Sequence, residues 1–394
     1  MGEGFGSLSD ELKAALGEGA QEPWSESRFG ELALRVLEYQ LETNPVYAKY
    51  CRKRGVTAST VSDWEDAPPV PTSAFKVVPL ISGDPSRVQR IFRTSGTTRG
   101  TESRGEHHVL DLDLYRASLL PNLEAHLYGG TPQVDEGERP RGVGSGGGSP
   151  SRGGTRLRLL ALVPRSDEVP DSSLSFMLGE ALAVLSGGEG GFFVRAEEGL
   201  EVARLRAAIE EATAEDQPLL LAGTAFAFVH WLDALAEADV RFQLPLGSRL
   251  LETGGFKGRS RTLPRLELYV SLSTAHGVPL DQIVNEYGMT ELLSQFYEPV
   301  LSFPMPSLDD RAHVAPPWMR TRVLDPNTLE PLPPGEKGLL CHYDLANAGS
   351  VMAVLTEDLG TLDAEGGLRV AGRVEGAEPR GCSLAMDDLL SEAR

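Results

Sequence analysis

The 394-residue sequence has few cysteines, a shortage of basic residues and no long apolar segment. Its three cysteines, Cys51, Cys341 and Cys382, show no metal-type pairing, which argues against a disulfide framework or a zinc site and suits a reducing cytoplasm. Lysine and arginine total 37 against 57 aspartates and glutamates, and the net charge of −20 disfavours binding to nucleic acid or anionic membranes. No apolar run approaches the roughly 20 residues that span a bilayer. We therefore expect a soluble cytoplasmic protein, with no nucleic-acid partner and no membrane span, that holds anionic substrates through local groups.

A segment dense in hydroxyls and glycines follows the apolar Ile91 and Phe92. Glycines allow the backbone to turn its N–H groups toward phosphate oxygens, and hydroxyls and arginines donate further hydrogen bonds. The segment therefore predicts a nucleotide site, although it lacks the lysine of a Walker loop, and a polar hairpin turn is the alternative. We refer to it as the hydroxyl loop, and its candidate ligands are Thr94, Ser95, Gly96, Thr97, Thr98, Arg99 and Gly100.

Three further motifs follow the hydroxyl loop in the sequence. They are Asn285-Glu286-Tyr287-Gly288-Met289-Thr290-Glu291, then Thr356-Glu357-Asp358-Leu359-Gly360, then Gly372-Arg373. In this order they resemble the core motifs of the adenylate-forming enzymes, which include acyl-CoA synthetases, peptide-synthetase adenylation domains and luciferases. The sequence departs from that pattern at Glu357 and Arg99, which stand where the superfamily has glycine.

More specifically, the chain resembles the acyl-protein synthetase (LuxE-type) branch over about residues 25 to 390. The likeness lies in the Thr-Thr-Arg-Gly variant of the hydroxyl loop, in Gly254-Gly255-Phe256-Lys257 and in Arg380-Gly381-Cys382-Ser383-Leu384. It implies an α/β fold: a large N-terminal domain of parallel-rich sheets layered with helices, and a small β-rich lobe. The mobile C-terminal domain of the superfamily is expected to be absent or truncated. ATP and Mg²⁺ are the implied cofactors.

The pattern of apolar segments is consistent with that architecture. Strands and helices alternate from Leu157 to Glu252, as in an open parallel sheet whose ligands lie at the carboxyl ends of the strands. Short strands separated by turns follow from about Arg320. The predicted regions are a flexible N-terminal segment (1–28), an α/β adenylation core (29–319) with a flexible insertion (129–155), a β-rich lobe (320–375) and a C-terminal tail carrying Cys382 (376–394).

Three segments of the core have distinctive local patterns. Phe29 to Lys53 and Asp111 to Tyr128 have helical spacing, so each predicts one helix. Pro68 to Lys76 is too rich in proline for a helix interior and predicts an extended loop of the kind that often lines sites.

The resemblance assigns a task to each motif in joining a carboxylate to the α-phosphate of ATP. The hydroxyl loop would hold the β- and γ-phosphates, Thr290 would contact the α-phosphate, and Glu291 would bind Mg²⁺. Tyr287 would stack on adenine, while Asp358 and Arg373 would bind the ribose. The alternatives are a core tyrosine, a solvated glutamate and a turn-forming aspartate. The remaining nucleotide candidates are Gly254, Gly255, Glu286 and Gly288.

Cys382 and Lys257 are further catalytic candidates. By resemblance, Cys382 would take the activated acyl group as a thioester, helped by Arg380, and pass it to a partner reductase; the alternative is a small residue in a loop. Lys257 would hold the carboxylate or a phosphate, or be a surface lysine. His107 and His108 follow the hydroxyl loop, and solvated histidines are the favoured interpretation. An acyl pocket or ordinary core is expected at Phe226, Phe228, Trp231 and Phe256.

Three functions follow from these residues. The favoured one is ATP-dependent activation of a carboxylic acid, in particular a fatty acid, with transfer to Cys382 and then to a protein partner such as an acyl-reductase or carrier protein. The second is an acid ligase that uses coenzyme A or a carrier protein. The third is a catalytically silent nucleotide-binding scaffold. No lysine follows Lys337, so the C-terminal lysine that assists adenylation in the superfamily has no counterpart, which favours the first function over the second.

Overall fold

The computed structural model describes residues 4–95, 104–129, 156–254, 263–302, 307–374 and 380–393. Two larger sheets organise these residues, and helices cover both faces of one of them. None of the described helices combines the length and apolar character needed to cross a bilayer. The helices are α1 Phe5–Leu16, α2 Glu26–Thr43, α3 Pro45–Lys53, α4 Leu112–Leu123, α5 Ser173–Val184, α6 Val202–Ala214, α7 Ala225–Glu237, α8 Arg265–His276 and α9 Arg380–Ala393.

The strands fall into two larger sheets and two short hairpins. They are β1 Val70–Pro71, β2 Arg90–Arg93, β3 Glu106–Val109, β4 Arg158–Leu162, β5 Gly190–Phe192, β6 Val194–Arg195, β7 Gly199–Leu200, β8 Leu219–Thr224, β9 Arg249–Thr253, β10 Ile283–Tyr287, β11 Phe296–Tyr297, β12 Met319–Leu324, β13 Gly338–Asp344, β14 Ala353–Leu362 and β15 Leu368–Arg373.

The six-stranded sheet has the order β11-β10-β9-β8-β4-β5 and is parallel except for β11. The inner strands β4, β8 and β9 are buried on both faces, which explains the nearly continuous apolar sequences of β4 and β8. Leu220 and Ala222 pack on the side of α4 and α5, whereas Leu219 and Leu221 pack on the side of α6, α7 and α8. The predicted alternation of strands and helices is confirmed, and so is the parallel sheet.

The second sheet has the order β1-β14-β13-β12, and β15 also pairs with β14. β12 to β15 lie in the range predicted for the β-rich lobe, and β1 joins them from much earlier in the chain, parallel to β14. β1 is followed by a 3₁₀ turn over Thr72–Lys76, so the predicted extended loop over 68–76 contains a short strand and a turn.

Two predictions for the N-terminal part are wrong. The segment predicted to be flexible contains α1, which buries Leu8, Leu12 and Leu16 and contacts α4. These leucines follow helical spacing, a signal that the glycine-rich composition obscures. The single helix predicted over 29–53 is broken at Asn44, whose side chain accepts the Tyr47 N–H and caps α3, with proline as its first residue.

Later helices agree better with the sequence pattern. Asp111 caps α4, and a π-helical turn over Glu124–Tyr128 completes the helix predicted over 111–128. The flexible insertion predicted over 129–155 lies, except for Gly129, outside the described residues. The predicted C-terminal tail forms the helix α9, which contacts α3, β1 and the turn over Thr72–Lys76.

Candidate active site

A cavity of about 500 Å³ lies at the carboxyl edge of the parallel sheet. Four strands, β4, β8, β9 and β10, end at it, and the N-terminus of α5 forms part of the opposite wall. Ligands of open parallel sheets bind at this edge. The volume and the mixture of apolar and polar groups are typical of small-molecule sites. Apolar and aromatic side chains lining it are Tyr115, Val163, Val169, Leu174, Met177 and Phe226.

Glu286, in β10, places a buried carboxyl in the cavity wall. The residue is 5% exposed, and the Thr253 hydroxyl donates a hydrogen bond to it. Burial raises the pKa of Glu286 from 4.5 to about 7, while the bond from Thr253 acts in the opposite direction. A Cβ atom at Gly288 would clash with Glu286 Oε1, so any other residue after Tyr287 would force the Glu286 carboxyl to shift. Near neutral pH the wall therefore contains a carboxyl that can be protonated and donate a hydrogen bond.

Tyr287 links β10 to the second sheet. Its hydroxyl donates to Asp358 Oδ2 over 2.9 Å, and Arg373 Nε lies 3.0 Å from Asp358 Oδ1. Asp358 and Arg373 are direct partners in the β14–β15 pairing, so the sheet register brings them together. The ring of Tyr287 contacts Phe296 and His342. The three residues predicted to bind adenosine thus form one connected group across the two sheets.

The backbone after β10 is held by buried side chains. His107 Nδ1 lies 2.8 Å from the Thr290 carbonyl oxygen, and because that oxygen can only accept, Nδ1 carries the proton. Burial lowers the pKa of His107 to about 4, so the ring is neutral at pH 7. The Asn347 amide donates to the Glu291 carbonyl over 2.8 Å and accepts the Leu293 N–H over 3.1 Å. These bonds fix the positions of Thr290 and Glu291.

The Glu291 side chain is a second buried carboxyl at the site. The residue is 7% exposed, and burial raises its pKa to about 7, while Arg373 and, more weakly, Lys76 lower it. The described residues contain no group of three or more histidine, cysteine or carboxylate side chains placed to hold a metal ion. Mg²⁺ commonly takes one or two carboxylates, with water and substrate phosphates as its remaining ligands. Glu291 fits that arrangement, and a bound cation would favour its ionised form.

The hydroxyl loop joins β2 to β3, whose antiparallel pairing ends with Arg93 opposite Glu106. Thr94 and Gly105 continue the pairing through an N–H to carbonyl bond of 2.9 Å, and the Gly105 N–H also donates to Thr94 Oγ1 over 2.9 Å. Arg104 lies 2.5 Å from Asp171, beside α5. Ser95 lines the cavity. Arg104 also lines it, so the described residues on both sides of the hydroxyl loop lie at the cavity.

Cys382 lies in α9 and is 1% exposed. It is not among the residues that line the cavity. Ion pairs from Lys53 at 2.9 Å and Arg54 at 3.1 Å to Asp388 hold α9 against α3. All three cysteines are buried, with Cys51 in α3 and Cys341 in β13. The alternative of Cys382 as a small residue in a loop is wrong, because the tail is helical.

Residues 173–391, more than half of the chain, match the family model described as acyl-protein synthetase, LuxE. The chain belongs to the acyl-protein synthetase (LuxE) family. Two curated relatives are each named long-chain-fatty-acid–luciferin-component ligase. The Vibrio harveyi protein is 24% identical over 396 residues, covering 97% of this chain and 94% of that protein. The Aliivibrio fischeri protein is 27% identical over 168 residues, covering 40% of this chain and 42% of that protein.

Solved structures show the same fold. With 2-hydroxyisobutyryl-CoA ligase in the postadenylation state, in complex with 2-HIB-AMP, the TM-score is 0.61 at 15% identity, covering 90% of this chain and 70% of that one. With an open conformation of 2-hydroxyisobutyryl-CoA ligase, in complex with 2-HIB-AMP and CoA, the TM-score is 0.59 at 15% identity, covering 88% of this chain and 75% of that one. The predicted fold class and the predicted ligase family are confirmed.

Several residues predicted for the site are near one another. Ser95, Gly254, Glu286, Gly288 and Thr290 all line the cavity. Thr94 is in the stem of the hydroxyl loop, and Gly254 has a left-handed φ of 64° at the end of β9. The polar group next to the cavity contains Tyr287, Glu291, Asp358 and Arg373. Their roles stay predictions. The candidates outside the described residues are Gly96, Thr97, Thr98, Arg99, Gly100, Gly255 and Lys257.

Other predictions about the site need correction. His107 is 1% exposed and His108 is half-buried, so the expectation of solvated histidines is wrong: β3 packs against the segment containing Thr290. Phe226 lines the cavity, whereas Phe228 and Trp231 are buried in the cluster on the side of α7 and α8, and Phe256 lies outside the described residues.

Sequence reasoning also missed Thr253 and Asn347. Thr253 ends a strand just before the glycine turn, a position that could have identified it. Asn347 lies in an irregular segment after β13, with no recognisable signal.

Proposed function

We propose that this protein uses ATP to activate a long-chain fatty acid as an acyl adenylate and transfers the acyl group through its own cysteine to a protein partner. The observation that carries the proposal is the cavity at the carboxyl edge of the sheet, lined by Thr290, the residue before Glu291, in a chain of the acyl-protein synthetase family. The apolar cavity wall suits an alkyl chain. The substrate named for the curated relatives is a long-chain fatty acid.

In the first reaction, an oxygen of the fatty-acid carboxylate bonds to the α-phosphorus of ATP. The bond from that phosphorus to the α,β-bridging oxygen breaks, and its electron pair leaves with pyrophosphate. The hydroxyl loop would hold the β- and γ-phosphates, and Thr290 the α-phosphate. Asp358 and Arg373 would bind the ribose beside Tyr287. Glu291 would hold Mg²⁺, which supplies charge neutralisation at the phosphates when it is bound.

In the second reaction, the Cys382 thiolate attacks the carbonyl carbon of the acyl adenylate. The carbon–sulfur bond forms, the bond from carbon to the phosphate oxygen breaks, and AMP leaves. A nucleophile of the partner protein then takes the acyl group from the thioester. Because Cys382 is 1% exposed and α9 is docked on α3, this route requires α9 to move before acylation.

The burial of Cys382 favours a second candidate, in which Cys382 is structural and coenzyme A or a carrier protein accepts the acyl group directly. The two candidates share the adenylation step and differ in the acceptor. A Cys382→Ser variant separates them, because it would lose protein acylation in the first case and keep turnover in the second.

Pyrophosphate exchange into ATP, measured with Mg²⁺ across fatty, aryl and amino acids, tests adenylation without the acceptor. We expect exchange that depends on a long-chain fatty acid and is lost in Glu291→Ala. A lack of pyrophosphate exchange with every acid of the panel would favour a catalytically silent scaffold. Incubation with radiolabelled fatty acid and ATP then tests the thioester: the label should be removed by hydroxylamine and be absent in Cys382→Ser, which retains Cys51 and Cys341 as internal controls.

A further inference from the structure

Lys76 lies in a turn that contacts both the strand after the hydroxyl loop and the strand that contains Asp358. It ends the 3₁₀ turn over Thr72–Lys76, which follows β1 and contacts β3, β14 and α9. β3 is the strand that leaves the hydroxyl loop, and β14 carries Asp358. The turn is therefore packed between the two sides of the proposed ATP site.

Phe75, next to Lys76, packs against both motifs. Its ring meets the ring of His107 edge-on at 5.8 Å, and His107 holds the Thr290 carbonyl at 2.8 Å. On the other side, Phe75 borders Gly105 at the base of the hydroxyl loop, where an added Cβ would come within 3.4 Å of Phe75 Cβ. The buried Phe75 side chain thus fixes the backbone of Lys76 relative to Thr290 and to Gly105.

The charge of Lys76 has no partner of its own in the described part of the chain. No ion pair or hydrogen bond to a described residue involves its side chain, and the residue is exposed. Lys76 is close enough to Glu291 for their charges to interact. By contrast, Lys13 is paired with Asp10 and Asp111, and Lys53 with Asp388.

We propose that Lys76 is a catalytic residue that donates a hydrogen bond from its ammonium group to a non-bridging oxygen of the α-phosphate of ATP. The inference rests on the proposed function. As the carboxylate oxygen bonds to the α-phosphorus and pyrophosphate leaves, negative charge grows on the non-bridging oxygens, and a fixed cation stabilises it. Lys76 transfers no proton in this step. The neighbouring Phe75 packs on His107, which holds the carbonyl of Thr290, the residue assigned to the α-phosphate, and this favours that phosphate over the other two.

The test compares Lys76→Met, which keeps most of the side-chain length without the charge, Lys76→Arg, which keeps the charge, and the control Lys337→Met. Lys337 is an exposed lysine in the turn before β13, remote in sequence from every motif of the site. In Lys76→Met we expect ATP affinity to fall about tenfold, and kcat of pyrophosphate exchange to fall about 100-fold. Lys76→Arg should recover a substantial part of both, and Lys337→Met should match wild type. Equal thermal midpoints would show that all variants fold.

ATP binding is measured without the fatty acid, so the role of Lys76 and the acid-activation proposal are tested separately. If wild type binds ATP but shows no exchange, the acid-activation proposal fails, and weaker binding by Lys76→Met still supports the role of Lys76. If Lys76→Met binds ATP and exchanges pyrophosphate like wild type, the role of Lys76 is overturned. A loss in Lys76→Met that Lys76→Arg does not recover at all, or a wild type that binds no ATP, would also overturn it.

Discussion

Replacing Glu286 by glutamine should make the protein more stable above neutral pH and leave it little changed in acid. The carboxyl is 5% exposed, accepts a hydrogen bond from Thr253, and has its pKa raised from 4.5 to about 7 by burial. No charged group among the described residues contributes to that shift. Glutamine has nearly the same shape and can still accept the bond from Thr253. The substitution therefore removes the free-energy cost of ionising a buried carboxyl and changes the packing and the hydrogen bond little.

The magnitude follows from the raised pKa. Each pKa unit corresponds to about 1.36 kcal/mol, so keeping Glu286 ionised in the folded state costs about 3 kcal/mol at pH 8 and less than about 1 kcal/mol at pH 5. The folded protein binds more protons than the unfolded chain between pH 4.5 and about 7. The free energy of unfolding therefore falls as the pH rises through that range, and Glu286→Gln removes this part of the fall.

Thermal midpoints at pH 5 and pH 8 measure the effect. An unfolding entropy of about 2.1 cal/mol/K per residue gives ~0.8 kcal/mol/K for the chain, so Glu286→Gln should raise the midpoint by about 4 °C at pH 8 and by about 1 °C or less at pH 5. Glu252, Glu291 and Asp344 have pKa values raised in the same direction. They are present in both proteins, so their contributions cancel in the comparison.

A matched control is Glu336→Gln, at an exposed glutamate in the turn before β13. It should leave the midpoint unchanged at both pH values. Parallel pH profiles for wild type and Glu286→Gln would refute the reasoning, because they would show that Glu286 is as easily ionised in the folded protein as in the unfolded chain.

Substitutions at three other positions test the packing around the site. His107→Leu should lower pyrophosphate exchange about tenfold by releasing the Thr290 carbonyl, whereas His107→Asn, which can still donate an N–H, should recover most of it. Gly288→Ala should lower the free energy of unfolding by about 1–3 kcal/mol, seen as a lower thermal midpoint, because its Cβ clashes with Glu286. Asp388→Asn removes the ion pairs to Lys53 and Arg54 and should speed iodoacetamide labelling of Cys382 up to about fivefold without changing exchange. Equal labelling rates would show that those ion pairs do not hold α9 in place.

The parallel sheet could be predicted from sequence because its signal is local. Leu219 to Ala222 is uniformly apolar, as expected for a strand covered on both faces, and helical spacing follows in α7. The nucleotide motifs were also recognisable, since each is a short run of unusual residues. Both kinds of feature depend on neighbours within about ten residues, so one sequence is enough to detect them.

The features that were missed depend on contacts between distant parts of the chain. His107 and Thr290 are 183 residues apart, and nothing near His107 in the sequence shows that its ring will be buried against that carbonyl. Cys382 is similar: a short segment near the end of the chain gives no indication that it will pack as a helix on α3. In both cases tertiary packing decides the burial, and burial decides the protonation state of the histidine and the accessibility of the thiol.

The contact between Tyr287 and Asp358 explains how motifs far apart in sequence can form one site. Tyr287 ends a strand of the parallel sheet, whereas Asp358 and Arg373 are paired in the second sheet. The 2.9 Å hydrogen bond from the Tyr287 hydroxyl to Asp358 therefore joins the two sheets. An ionised carboxylate offers about four acceptor positions, and Tyr287 and Arg373 use two of them. Ribose hydroxyls could therefore bind Asp358 without displacing either partner. In the proposed function, the nucleotide would add hydrogen bonds to the link that Tyr287, Asp358 and Arg373 make within the protein.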